Sequence, residues 1–250
     1  MSQTTDYLLG HHDTEWARLA RQHRLWRRGL LDVIGEPGRV VEVGCGTGEL
    51  LAELGSQAVG IERDPDAARE AASRGLTVRH LDLFDARFSD LDTVVARWVF
   101  SFLPDPARAV AHLASWLAPG GRLIIQDYDH DGLAVWPRYD PIQVVIDAFR
   151  AAYAARGGDL WVAPKMSSVM SSEGLTTAAY PEVMSGGPDS ALWCWVEDFL
   201  RQHIGTVHKD GHLSAEEVQA FHQAWQDARS HPGVLLVSPI QLTVVGRRTG

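Results

Sequence analysis

The stretch Val40–Leu50 reads VVEVGCGTGEL and sets Gly44, Gly46 and Gly48 at every second position after a short apolar run. Glycine has no Cβ and accepts left-handed backbone angles, so such a turn can pass close beneath a ligand. After a strand, it is a setting for an adenine-containing cofactor. The dinucleotide fingerprint G-x-G-x-x-G asks for a further glycine at position 49, where the helix must pack closely on the strand. Position 49 is Glu. A carboxylate there opposes a pyrophosphate seated on free backbone N–H groups. Glu42, two residues before Gly44, adds negative charge.

S-adenosylmethionine answers these constraints better, since it carries an ammonium and a sulfonium and no phosphate. Two acids downstream fit the same reading. Glu62 ends the second strand, 18 residues after Gly44, where a carboxylate holds ribose hydroxyls in either cofactor class. Asp82, in RHLDLFD, ends the third strand and can accept from an adenine amino group. Each acid also has a plain structural reading, as a helix cap or a solvated loop residue.

A methyl donor of this kind reacts by in-line displacement, so positioning supplies much of the acceleration. A general base is needed only where the nucleophile arrives protonated. The cluster DYDHD, Asp127 to Asp131, falls at the carboxyl end of the fifth strand. Asp127, Asp129 and Asp131 suit a hard cation, or they simply open an acidic loop. His130 is a candidate base by location, with His11 and His12 as rivals nearer the N-terminus. His208 and His212 stand four apart, but HKDGH contains Gly211 and reads as a loop. No metal site is expected.

The elements that must position these groups alternate. RVVEVG, AVGIE, LTVRHLDL, LDTVVARWV and RLIIQDYD read as strands. GELLAELG, DPDAAREAASRG and DPARAVAHLASWLAPGG read as the intervening helices, the last ending in Pro-Gly-Gly. Such alternation predicts a parallel sheet with right-handed crossovers. Residues 14–34 form an amphipathic helix closed by Gly35 and Pro37. After Asp131 the pattern turns helical, with helices expected over PIQVVIDAFRAAYAARGG, APKMSSVMSSEG, 189–204 and 214–230. LTTAAYPEVMSGG and QLTVVGR supply strands. The predicted division is a helical lid over 1–35, a cofactor core over 36–130, a cap with one core strand over 131–233 and a final core strand over 234–250.

With 250 residues, 45% hydrophobic and 22% charged, the chain has the make-up of a water-soluble α/β protein. No apolar run approaches the roughly 20 residues that span a bilayer, and no secretory profile opens the sequence, so a cytoplasmic protein without membrane partners is expected. Two cysteines are too few for a disulfide framework. A net charge of −9 argues against nucleic acid. The exception is RLARQHRLWRRG, with five arginines on one helix, which reads as a solvated face. Nine tryptophans, among them Trp136, Trp161, Trp193 and Trp195, fit an aromatic acceptor pocket or ordinary packing.

The motifs together resemble the class I S-adenosylmethionine-dependent methyltransferases. VVEVGCGTG is similar to their first motif, GIERD and LDLFD to their second- and third-strand acids, RWVFSFLPDP to the segment after the fourth strand, and LAPGGRLIIQDYD to the fifth-strand entry. YLLGHHDTEWARL resembles a lead segment of bacterial small-molecule members. The resemblance implies a Rossmann-like, mostly parallel seven-stranded sheet with helices on both faces and a helical cap. It implies that Gly44, Cys45 and Gly46 approach the cofactor through their backbone. Glu62 would hold the ribose, Arg63 would lie near the adenine, Asp82 would take its amino group and Leu83 would pack on the ring. Arg97 would sit beside the methionine portion, with Tyr7 and Arg18 closing over the cofactor and Arg18 pairing its carboxylate. ARWVFSF lacks the Asn/Asp-Pro-Pro-aromatic turn of enzymes that methylate nucleic-acid or protein amines. Arg97 is a cation where magnesium-dependent catechol-type enzymes place an acid. Methyl transfer to an oxygen or nitrogen of a small metabolite is therefore expected, from a monomer or homodimer. Other S-adenosylmethionine chemistry, such as cyclisation, or cofactor sensing without catalysis, are the alternatives.

Overall fold

Short β-branched runs set between capped helices dictate the first half of the chain, and the computed structural model describes residues 13–249, with side chains from Glu15 onward. Helix α1 spans Asp13–Ile34 and ends where Gly35, at φ +53°, turns its N–H back to Leu31 O. Strand β1 (Val40–Val43), β2 (Val59–Glu62), α2 (Pro65–Ser73), β3 (Val78–His80), β4 (Leu91–Arg97), α3 (Pro106–Ala114) and β5 (Leu117–Asp129) follow in order. Asp64 caps α2, its Oδ1 accepting from the Asp66 and Ala67 N–H groups, and Pro65 fills the first helical position. Beyond them lie β6 (Ala134–Trp136), α4 (Asp140–Ala155), α5 (Val162–Ser172), β7 (Leu175–Glu182), β8 (Ser185–Gly186), α6 (Ala191–Lys209), α7 (Ala215–Ser230), β9 (Leu235–Val237) and β10 (Ile240–Arg248).

The large sheet has the order β3-β2-β1-β4-β5-β10-β7. β3, β2, β1, β4 and β5 pair in parallel, while β10 and β7 pair antiparallel. The expected mostly parallel seven-stranded sheet is the one observed. Its central strands are apolar on both faces, with Val41, Val43, Val94, Val95, Leu123, Ile124 and Ile125 all buried, as strands covered by helices on each side must be. Leu113 of α3 and Met166 and Met170 of α5 join the cluster on one face, and Leu30 and Ile34 of α1 join the other. Because β2 and β3 lie on one side of β1 and β4 on the other, the chain reverses its winding between β1 and β4. A crevice opens beyond the carboxyl ends of strands at such a switch point.

The chain divides into two compact units. One comprises Trp26–Asp129, Trp161–Glu182 and the residues from Gln241 onward, and contains the seven-stranded sheet. The other comprises the residues up to Leu25, His130–Leu160 and Val183–Ile240. It holds α4, α6 and α7 with a small antiparallel sheet in the order β6-β9-β8. Aromatic rings fill its interior: Trp193 packs on Trp225 at 4.8 Å between centroids, and Phe149 on Phe199 at 5.1 Å. Among the described residues no helix is long and apolar enough to cross a membrane.

Three local expectations need correcting. GELLAELG makes one 3-10 turn at Leu51–Glu53 rather than a helix, because Gly48 and Gly55, at φ +86° and +99°, stop it at both ends. LAPGG does not end α3. Leu117 already pairs with Leu91, and Pro119-Gly120-Gly121 absorb a register slip before Arg122 pairs with Thr93. The three-stranded sheet was not anticipated, its strands being two or three residues long. Replacing Asp64 by Ala removes both cap bonds and is expected to lower the unfolding free energy by about 1 kcal/mol. Urea unfolding measures this, and an unshifted midpoint would show that water replaces the cap at no cost.

Candidate functional site

At the carboxyl end of β1 the chain makes its glycine turn against the end of β2. Gly44 and Cys45 donate to Ile61 O at 2.8 and 3.1 Å. Glu62 closes the turn: its Oε2 accepts from Gly46 N at 2.9 Å and its Oε1 from Asp64 N at 2.8 Å. Glu62 is thus a clasp between the turn and the start of α2, not the cap of that helix. The three glycines have different reasons. A Cβ on Gly44 would lie 2.5 Å from Val99 Cγ2, and one on Gly48 would lie 2.3 Å from Leu76 Cδ1, so both serve internal packing. Gly46, at φ +54°, would meet nothing within 4 Å, and only there does the bare backbone face open space. Glu49 is not a free repulsive charge either. It pairs with Arg74 Nη1 at 2.5 Å, and the same nitrogen donates to Thr47 O at 2.7 Å. Glu49 therefore sets no free negative charge against a phosphate.

Glu42 is 2% exposed, and burial pushes its carboxyl up to about 8, although the Arg97 guanidinium pulls the other way. Arg97, at the end of β4, is 8% exposed, and burial brings it down to about 10 against the pull of Glu42. The two attract one another but form no ion pair. Glu42 Oε2 and Arg97 Nη1 are each buried with no hydrogen-bond partner in the protein. Register explains their company. Glu42 pairs with Val95, and Arg97 with Gln126, so alternation along the strands puts Glu42, Arg97 and Gln126 on one face. Gln126 Nε2 donates to Thr243 Oγ1 at 3.0 Å, which continues the row onto β10, where Gln241 shares the face of Thr243. Gln126 Oε1 and Gln241 Nε2 are also buried and unpartnered. Four polar atoms on one sheet face thus await a ligand, a water or one another, where most buried groups are satisfied.

Trp98 follows Arg97 in the left-handed region, at φ +54°, a conformation that costs energy for a bulky residue. Its indole N–H donates to Gln241 Oε1 at 2.8 Å, and its ring stacks on Tyr128 with centroids 6.4 Å apart. The Arg97 guanidinium carbon lies 4.4 Å from the ring centroid. Asp127 points the opposite way from Gln126. Buried, and pushed up to about 6, it accepts from Ser101 N at 3.0 Å and Tyr128 N at 2.9 Å. It is therefore a scaffold for the segment after β4 and not a cation ligand. Among the described residues no group of three or more His, Cys, Asp or Glu could hold a metal ion.

The other sequence candidates scatter. Asp82 is half-buried and its Oδ1 accepts from Phe84 N at 2.9 Å. Leu83 is buried in the core cluster and Arg63 is exposed. Cys45 is buried, with its thiol pushed well up by desolvation and by Glu42 and Glu62. Arg18 differs most from expectation. Its guanidinium is 2% exposed and already forked onto Glu15 at 2.7 and 2.6 Å, with Nη1 on Gln22 at 2.8 Å. Its charge is answered within its own unit. His130 is half-buried, and burial together with Arg150 brings its imidazole down to about 3. It is neutral at pH 7 but has little affinity for a proton. Tyr7, His11 and His12 lie outside the described residues. Gln126, Gln241 and Trp98 are absent from the sequence reading, although Gln126, a polar residue near the end of an apolar strand, was a usable signal.

Comparison with known proteins gives one consistent result. A family model described as a methyltransferase domain matches residues 15–179. A demethylmenaquinone methyltransferase of Thermus thermophilus is 35% identical over 118 residues, covering 41% of this chain and 54% of that one. The chain spans about half the length of this and two further curated relatives it matches. The fold is shared with a Thermotoga maritima S-adenosylmethionine-dependent methyltransferase, described as a possible histamine N-methyltransferase. That match has a TM-score of 0.58, 16% identity and coverage of 94% and 95% of the two chains. A Haemonchus contortus phosphoethanolamine N-methyltransferase, solved with S-adenosyl-L-methionine, superposes with a TM-score of 0.57 and 15% identity, over all of this chain and 61% of that one.

Glu42 carries a pH signature. Its folded value of about 8 exceeds the ordinary 4.5, so the folded state binds the extra proton between those values. Stability is then fully present below about pH 4.5 and is lost as pH rises toward 8. Glu42→Gln should flatten the fall in ligand-free thermal stability between pH 5 and 8, and parallel curves for the two proteins would sink the assignment.

Proposed function

The chain belongs to the methyltransferase-domain family, and from that premise we propose that it transfers a methyl group from S-adenosylmethionine to an oxygen or nitrogen of a small organic molecule. The observation that carries this reading is the unmated pair Glu42 and Arg97. A buried acceptor and a buried cation on one face, each with an open position, match the ammonium and carboxylate of an amino acid, which is the end S-adenosylmethionine carries and a dinucleotide lacks. Arg97 takes the role that sequence reasoning gave to Arg18, whose fork is occupied.

The rest of the turn fits the same ligand. The backbone of Gly44, Cys45 and Gly46 would line the methionine and ribose, with Gly46 as the point of closest approach. Each Glu62 oxygen accepts one backbone N–H and keeps a second lone pair for a ribose hydroxyl. Asp82, Leu83 and Arg63 would flank the adenine. S-adenosylmethionine supplies the methyl as a sulfonium substituent, and the chain's own part is to position, desolvate and stabilise charge. His130 has too little proton affinity to drive a difficult deprotonation, which favours an acceptor that arrives as a neutral amine or an easily ionised hydroxyl. A small acceptor is also favoured over nucleic acid, because Arg21 and Arg27 on the arginine-rich helix are paired with Asp198 and Glu53 at 2.7 and 2.8 Å.

Calorimetry with S-adenosylhomocysteine, 5′-methylthioadenosine and NADH tests the reading. Arg97→Met should weaken S-adenosylhomocysteine at least roughly tenfold, since a charged hydrogen bond is lost, and leave methylthioadenosine, which has no amino-acid end, unchanged. NADH should not bind. Equal losses for both adenosine ligands, or binding of NADH alone, would overturn it.

A further inference from the structure

Gln126 and Gln241 extend the polar row past Arg97, beyond what an amino-acid end would use, and they sit beside the strained Trp98. Resting on the reading of the site as a methyltransferase centre, we propose that Gln126, Gln241 and the Trp98–Tyr128 stack form the recognition site for the acceptor, and that the acceptor is an aromatic ring bearing a hydroxyl group.

The hydrogen-bonding types fix the choice of group. An indole N–H can only donate, so the 2.8 Å bond from Trp98 Nε1 fixes Gln241 with Oε1 toward the indole and Nε2 left over as a donor. Gln126 spends its Nε2 on Thr243 Oγ1 and leaves Oε1 as an acceptor. Both residues are fully buried and neither leftover atom has a partner in the protein. Leaving two such atoms unmet is costly. A hydroxyl answers both at once, donating to Gln126 Oε1 and accepting from Gln241 Nε2. An ether oxygen can satisfy only Gln241 and a protonated amine only Gln126, while a neutral amine on an aromatic ring accepts poorly from Gln241 because its lone pair is delocalised into the ring.

Trp98 supplies the surface for the ring. Nothing in its sequence neighbourhood requires a left-handed residue of this size, yet four interactions hold it there. Its N–H donates to Gln126 O, its indole donates to Gln241, its ring stacks on Tyr128 and Arg97 lies over its face. Residues over-determined in unfavourable backbone conformations cluster where a ligand must be met. The result is a fixed aromatic surface whose polar edge is joined to Gln241. Trp98 is only half-buried, so a flat ring can lie against the part of the indole that Tyr128 and Arg97 leave open while its hydroxyl reaches the two glutamines.

Calorimetry on protein saturated with S-adenosylhomocysteine tests this with 2-naphthol and 2-methoxynaphthalene, in which a methyl group replaces the hydroxyl hydrogen. Saturation is verified first, so a failure of the cofactor reading shows separately as a failure to load. Wild type should bind 2-naphthol roughly tenfold or more tightly than the ether, as expected when a buried acceptor is left unmet. Gln126→Leu should lose that preference, because the acceptor that the ether leaves unmet is gone, whereas Gln241→Leu should weaken both probes alike. Gln241→Met leaves a thioether to receive the Trp98 N–H but no donor, so it should recover thermal stability relative to Gln241→Leu without recovering naphthol affinity. All three variants should load S-adenosylhomocysteine like wild type. Equal binding of the two probes, no binding of naphthol to the loaded protein, a preference that survives in Gln126→Leu, or recovery of affinity in Gln241→Met would overturn the proposal. The last result would reduce Gln241 to a support for Trp98.

Discussion

A cation and a carboxyl group held in one buried layer, near enough to attract and too far apart to bond, govern the carboxyl edge of this sheet. Arg97 cannot shed its proton near neutral pH, so its burial must be offset by something. Within the protein the offset is partial: a ring face from Trp98 and the fields of acids such as Glu53 and Glu49, to which Glu42 adds only when it ionises. Glu42 in turn keeps its proton until a cation comes close enough to make ionisation worthwhile. An arrangement that is poor for stability alone is well suited to a ligand carrying both signs of charge. The same row continues as the neutral glutamines of β5 and β10, and only its position relative to the switch point separates the charged half from the neutral half.

The surrounding structure keeps this row rigid. Glu62 ties the glycine turn to α2, Arg74 ties the turn's Thr47 and Glu49 to the far end of the same helix, and Leu76 and Ala71 fill the space that a side chain at position 48 would need. Asp127 performs a matching task on the opposite face, holding the segment after β4 by the Ser101 N–H while also accepting from Tyr128 N on its own strand. Polar side chains are thus divided between two jobs by the alternation of the strand: Asp127 braces the backbone, while its neighbour Gln126 faces the row.

Where chemistry follows from local spacing, the sequence was readable. Alternating strands and helices, the cap at Asp64 and the turn at Gly44–Gly48 all declare themselves within a dozen residues. Failures came where a distant partner decides. The Pro-Gly-Gly after α3 looks like a helix stop until β4 pairs with β5 across it. The polar row was half visible, since VVEV, VVAR and LIIQ each place one polar residue among apolar ones near a strand's carboxyl end. That they share a face depends on register, which no single strand encodes. The left-handed Trp98 had no signal, because the positions that usually betray such angles are glycines.

Cys45 gives the glycine turn one more property. Its sulfur packs where a Cβ on Gly60 would fall, 2.5 Å from that point, and its thiol is buried with its proton held firmly. A thiolate is the reactive form, so the group is chemically silent while the turn stays seated on β2. Only an opening that breaks the Gly46–Glu62 clasp would expose it. With the exposed Cys194 replaced, the rate of alkylation would therefore count those openings, and Cys45 becomes a native clock for how often the backbone beneath the ligand lets go.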